Sequence, residues 1–172
     1  HSDENFVPYD EELFKNARMV VITINAKADL LETIRLVKKY NVPLAFGMKL
    51  DETTFSIDVL EEIFNLVEII FANEYEMSVL RQWFKLNSIS AFFKFPKLKI
   101  IAVTKGSRGS TIYTRENEII EIPVVRPKRI LDTAGAGDAY IAGFLYGYLN
   151  NLGYKKAGRL GSTISSFIIE EV

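Results

Sequence analysis

Four short apolar runs, each preceded or followed by a segment with helical spacing, constrain the fold of this chain more than any other feature. Residues 18–24 read as a buried strand, 27–40 as a helix with Leu30, Leu31, Ile34 and Val37 on one face, and 43–47 as a second strand. A helix over 57–66, a strand over 67–72, a helix over 74–84 and a strand over 98–104 continue the pattern. Strands covered on both faces need no polar residue at every second position, and the helices between them supply the cover. The order therefore predicts an α/β fold with a parallel sheet rather than a sandwich. A hairpin is expected next, 110–114 against 118–122 across Arg115-Glu116-Asn117, followed by helices near 135–150 and 155–170. One more helix is expected just ahead of the first strand.

Composition narrows the chemistry. The chain has 172 residues, 48% hydrophobic and 25% charged, which suits one domain over 1–172 that buries roughly two thirds of its unfolded surface. A net charge of −1 argues for neither a nucleic-acid partner nor an anionic membrane. The longest apolar stretch, around 139–149, is short of the ~20 residues a bilayer span needs. Cysteine is absent, so disulfides and thiolate sites drop out and a cytoplasmic setting is expected. The one histidine is His1, which removes Ser-His-Asp chemistry and His-based zinc sites. Proton transfer must fall to a carboxylate, a lysine or a tyrosine.

Ligands of parallel sheets bind beyond the carboxyl ends of the strands, so the residues after each strand carry most weight. The richest segment is Asp132-Thr133-Ala134-Gly135-Ala136-Gly137-Asp138, running straight into the apolar run Ala139 to Leu145. Gly135 and Gly137 permit a tight turn without side chains that would block an anion, and the N–H groups of the next helix's first turn would face that turn. Asp138 would sit where the helix dipole favours its charged form, placed to accept a hydroxyl proton. An ordinary glycine-rich helix entry explains the same residues.

Thr104-Lys105-Gly106-Ser107-Arg108-Gly109 follows the fourth strand and can wrap a nucleotide's phosphates, with Lys105 or Arg108 offsetting charge; a plain strand-to-hairpin turn is the alternative. Eight Lys or Arg residues and no Asp or Glu lie between Met77 and Arg115, so this side of the sheet is expected to be positive. Asn73-Glu74-Tyr75-Glu76 opens a helix and reads either as a capping sequence or as ligands that hold hydrated Mg²⁺ near phosphates. Ala139, Gly143 and Gly147 form a smooth stripe for close packing, with Ala157, Gly161 and Ser165 as the matching surface. Trp83, Phe84, Phe92, Phe93 and Phe95 supply aromatic mass near the nucleotide side, as core or as a stacking surface.

Taken in order, the segments 73–76, 104–109 and 132–145 resemble the motifs of the ribokinase-like carbohydrate kinases, the PfkB family. The resemblance implies a three-layer fold with a mostly parallel central sheet, and ATP-dependent transfer of phosphate to an alcohol of a sugar, or of a nucleoside as the alternative. It implies Asp138 as the base, and Gly135, Ala136 and Gly137 as the anion hole. Thr104, Gly106, Ser107 and Gly109 would contact the nucleotide. Asn73 and Glu76 would act through Mg²⁺ and its waters, and a monovalent cation such as K⁺ would sit near Asp132 and Ala134.

Family chains run to about twice this length, so the lid, the first strands and most acceptor contacts are expected outside this chain, with a homodimer forming through the lid. Phe46-Gly47-Met48-Lys49-Leu50-Asp51 departs from the Asp-x-Asn-x-Arg-like segment of many relatives. A nucleotide-binding module without catalysis, and a plain α/β interaction domain, are the competing readings.

Overall fold

The apolar runs form one six-stranded sheet in a computed structural model that describes residues 7–23, 27–49 and 56–170. The strands are β1 (Val20–Ile22), β2 (Leu44–Gly47), β3 (Val67–Asn73), β4 (Ile100–Thr104), β5 (Ser110–Thr114) and β6 (Ile119–Ile122), and their order across the sheet is their order in sequence. The helices are α1 (Glu11–Asn16), α2 (Lys27–Tyr40), α3 (Ile57–Leu66), α4 (Glu74–Trp83), α5 (Ala136–Leu149) and α6 (Tyr154–Glu170).

β1 to β4 are parallel, and β5 and β6 join antiparallel. Parallel neighbours are connected by right-handed crossovers, so three steps in one direction leave α2, α3 and α4 on the same face. That face buries Phe46, Ile70, Ile101 and Val103 against Leu30, Ile34, Leu60, Phe64 and Leu80. Its opposite would be left bare, and α5 and α6 fill it: Ala45, Ile69, Phe71, Ile100 and Ala102 pack there with Tyr140, Phe144 and Ala157. The result is the three-layer arrangement that the family resemblance implied, built on the parallel sheet expected from the strand–helix alternation.

Phe84, Phe92 and Phe95 surround Phe64, with ring centroids 4.8, 5.7 and 5.2 Å away. They belong to the α2–α4 face. The expectation that this aromatic mass lies beside the nucleotide side is corrected here: the rings are core on the far side of the sheet. Their sequence position between α4 and β4 is the reason, since a crossover between parallel strands stays on its own face.

The small-residue stripe of α5 does meet α6. A Cβ on Gly143 would stand 2.7 Å from the Leu160 carbonyl oxygen and 2.8 Å from Gly161 Cα, and one on Gly147 would stand 2.6 Å from Ala157 Cα. Backbone touches backbone there, which nothing larger than glycine allows.

Candidate active site

Strand register aligns the carboxyl ends of the parallel strands. Asn73 is paired with Thr104, Thr104 with Ser110, and Ser110 with Ile122, so one row of residues crosses the top of β3 to β6. Above this row lies a cleft of about 730 Å³, between the 104–109 turn, the strap of residues 124–130, and the start of α5 with the facing side of α6. That volume lies inside the range of about 300–1,000 Å³ common for small-molecule sites.

The turn that follows β4 divides its glycines by task. Gly109, at φ +84°, has the Ile122 carbonyl oxygen 2.1 Å from where a Cβ would stand, so it exists for the close approach of β5 to β6 and the strap. Gly106, at φ +57°, faces open space. Thr104, Gly106, Ser107 and Gly109 all line the cleft.

Lys105 and Arg108 do not line it. The Lys105 ammonium is 3.0 Å from Glu121, and Arg108 pairs with Glu74. The expectation that they offset phosphate charge therefore finds no support in the resting geometry. Nor is the basic stretch one positive face. Lys99 pairs with Glu68, Lys97 donates to Asn41, and Arg115 donates to the carbonyls of Phe95, Pro96 and Leu98, all at the amino ends of the parallel strands. A strand carries its charged flanks to opposite edges of the sheet, which a linear count of charges ignores.

The glycine turn opens α5. Gly135 is the N-cap residue at φ +76°, a left-handed conformation, and no side chain caps this helix. Ala136 N–H turns back to Thr133, but the N–H groups of Gly135, Gly137 and Asp138 meet no acceptor among the described residues. Gly137 has no atom within 4 Å of a Cβ position. Uncapped donors at a helix start, under open space, make a place for an anion. Ala136 and Gly137 line the cleft beside Thr133. Asp132 accepts the Ala134 N–H at 2.9 Å, a contact that shapes the entry to the turn.

Asp138 is half-exposed at the far side of the same turn, with one carboxylate oxygen 2.8 Å from the Lys49 ammonium. Asn73 and Glu76 form a full capping box. Asn73 Oδ1 accepts the Glu76 N–H, and Glu76 Oε2 accepts the Asn73 N–H, each at 2.8 Å. The capping reading is thus realised, and it leaves Oε1 of Glu76 outside the box. Burial pushes the Glu76 carboxyl above the usual carboxylate range, while the Asn73 N–H and the Lys49 charge pull it down.

Several residues of the site have no motif in the sequence. Tyr140 lines the cleft, and its hydroxyl is 2.7 Å from Ser110 Oγ; burial pushes that hydroxyl up to about 12, against the pull of the Ser110 bond. Ser162 Oγ accepts the Val125 N–H at 2.9 Å, and Leu131 N–H donates to the Ile169 carbonyl at 3.0 Å, so both ends of the strap are tied to α6. Ser165 Oγ donates to the Ala136 carbonyl at 2.9 Å and fixes the start of α5 on α6. The serines of α6 at 162, 165 and 166 share one helical face, and that spacing was the available signal.

The description "pfkB family carbohydrate kinase" matches residues 1–172, and the chain belongs to that family. A nucleoside kinase of Methanocaldococcus jannaschii is 32% identical over 127 residues, 74% of this chain and 41% of that protein. The crystal structure of M. jannaschii nucleoside kinase, an archaeal member of the ribokinase family, superposes with a TM-score of 0.81 at 29% identity, covering 94% of this chain and 55% of the other. A Burkholderia thailandensis nucleoside kinase in complex with ADP-inosine shares the fold, with a TM-score of 0.82, 24% identity, and 92% and 50% of the two chains covered. The chain spans about half the length of the relatives it matches. No helix among the described residues is long and apolar enough to cross a membrane.

Proposed function

We propose that this chain carries the nucleotide-binding and catalytic part of a kinase that moves the γ-phosphate of ATP to a hydroxyl of a nucleoside, with a sugar alcohol as the second acceptor class. One observation carries the reading: the uncapped N–H groups at the start of α5 open beside a nucleotide-sized cleft, and a carboxylate stands on the same helical turn. The nucleoside preference is supported by the named relatives at 29–32% identity.

In this reading Thr104, Gly106, Ser107 and Gly109 hold the donor nucleotide, and Tyr140 and the strap wall its apolar part. Gly135, Ala136 and Gly137 bind the charge that develops on the transferring phosphoryl group, the largest contribution protein groups make to such reactions. Asp138 accepts the acceptor's hydroxyl proton. Mg²⁺, when bound, neutralises phosphate charge; Glu76, and Asn73 through water, are the groups that would hold it. Their sparse donor set fits an ion that keeps most of its waters. Asp132 would help to hold a K⁺-like ion at the entry to the turn. The proposal includes a cytoplasmic setting and a homodimer of the complete enzyme.

The test is ADP release by the full-length protein with Mg-ATP and a panel of purine nucleosides, pyrimidine nucleosides and sugars. Turnover is expected to be greatest with a nucleoside. ATP binding without transfer to any acceptor would sink the catalytic reading, and loss of ATP protection in a thermal melt would sink the nucleotide site itself.

A further inference from the structure

The segment after β2 brings a cation to the Asp138 carboxylate. Residues alternate in facing along β2: Phe46 and Met48 point into the α2–α4 core, and Ala45 and Gly47 point toward α5 and α6. Lys49 follows in that second series. Met48 N–H donates to the Phe71 carbonyl at 2.8 Å, so the ladder with β3 continues one residue past the strand. Gly47 then sets the distance to α5, because a Cβ there would lie 2.7 Å from Ile141 Cδ1 and 3.2 Å from Thr23 Cγ2. The end of β2 meets the second turn of α5 at this point, and Lys49 is delivered to Asp138 at 2.8 Å.

Stability does not account for this pair. Side-chain exposures of 38% for Lys49 and 50% for Asp138 put it in the class of ion pairs that add little to folding. Its position does matter. A hydroxyl donating at about 2.7 Å to the Asp138 oxygen that meets Lys49 would lie within about 5.5 Å of the Lys49 ammonium, and that hydroxyl is the group that attacks phosphorus. Lys105 and Arg108 are held by Glu121 and Glu74, and among the described residues Asp138 is the ion-pair partner of Lys49. An ammonium has three donors, and one of them faces Asp138.

We propose, resting on the kinase reading above, that Lys49 is a catalytic residue: its ammonium aims the Asp138 carboxylate in the resting site, and its remaining donors meet the phosphoryl group during transfer. The step balances without any change on Lys49. The bond from acceptor oxygen to phosphorus forms as the bond from phosphorus to the bridging oxygen breaks, its electron pair leaves with the nucleoside diphosphate, and the hydroxyl proton goes to Asp138.

The experiment is steady-state kinetics of the full-length enzyme with Mg-ATP and its best acceptor, for wild type, K49Q, K49R, D138N and the K49Q/D138N double variant. K49Q should lower kcat about 10²-fold while KM for ATP stays within about threefold, and K49R should recover at least about tenfold of the loss. K49Q should cost about a further tenfold in the D138N background, because its contact with the phosphoryl group does not pass through the base. A K49Q enzyme within about threefold of wild type in kcat, a loss that K49R leaves unrepaired, or a double variant no slower than D138N overturns the role of Lys49. A wild type that transfers nothing removes the kinase reading and this role together. An active wild type with an equally active K49Q removes this role alone.

Discussion

On the α2–α4 face of the sheet the core is aromatic: Phe46, Phe84, Phe92 and Phe95 crowd Phe64, and large rings hold the helices at ordinary distances. On the α5–α6 face glycine and alanine replace rings at the helix crossing, and the two backbones touch at Gly143, Gly147 and Gly161. The first face closes on itself. The second draws α6 under α5 so that Ser165 can pin the start of α5, and Gly47 lets that start come down onto the end of β2. The contrast teaches that small residues here serve placement: they bring an uncapped helix start to the edge of a sheet where strand ends already line up.

If the two faces are divided this way, substitutions should separate activity from stability. Asp138→Asn should lower kcat by about 10³-fold, roughly 4 kcal/mol in the barrier, with the melting temperature unmoved. Steady-state kinetics beside a thermal melt would check it, and equal activity would remove Asp138 as the base. Phe64→Ala on the other face should cost about 3–4 kcal/mol of stability in denaturant unfolding, with KM for ATP unchanged in the fraction that folds. A shifted KM would break the claim that this face is remote from the site.

Gly143→Ala should do both. Its Cβ meets backbone at 2.7 Å, so α5 must lift from α6, and about 1–3 kcal/mol of stability is expected to go together with a weakened grip on ATP. Calorimetry of ATP binding that shows no change would mean the close crossing is not what positions α5. Asn73→Ala breaks one half of the capping box and should cost about 1 kcal/mol; comparing its Mg²⁺ dependence with that of Glu76→Gln separates capping from metal binding.

The smallest effect lies far from both. Lys39, then Tyr40 and Arg35, hold the exposed Glu11 carboxyl down at about 2. A carboxyl lowered on folding adds stability above its unfolded value near 4.5, and that stability fades as pH falls toward 2. Glu11→Gln should therefore lower the melting temperature slightly at pH 7, with the difference from wild type shrinking as pH falls from 4.5 toward 2.

Strands and helices were legible because their signals are local. Helices 27–40 and 57–66 and the 110–122 hairpin lie where hydrophobic spacing and turn residues put them. Residues 24 to 26 and 50 to 55, with Leu50 and Asp51 of the departing segment, lie outside the described residues. Among the site residues, Thr104, Gly106, Ser107, Gly109, Ala136 and Gly137 do converge on the cleft, because each lies in a glycine turn directly after a strand or before a helix. Lys105 and Arg108 pair with Glu121 and Glu74, and the basic stretch divides between two edges of the sheet, since a charge in sequence does not reveal the partner across a sheet. Tyr140, the strap and Lys49 carried no motif; their roles come from what folding sets opposite them.

The sequence by itself determined the alternation of strand and helix, the family, and the glycine turn ahead of Asp138, because all three are written in contiguous residues. Only the tertiary structure decided that Lys49 meets Asp138 across 89 positions, that the lysine and arginine of the 104–109 turn are held by glutamates, and that the aromatic cluster faces away from the site. Those outcomes depend on crossover handedness, strand register and the closeness of α5 to β2 and α6, which are properties of packing between segments and not of any one of them.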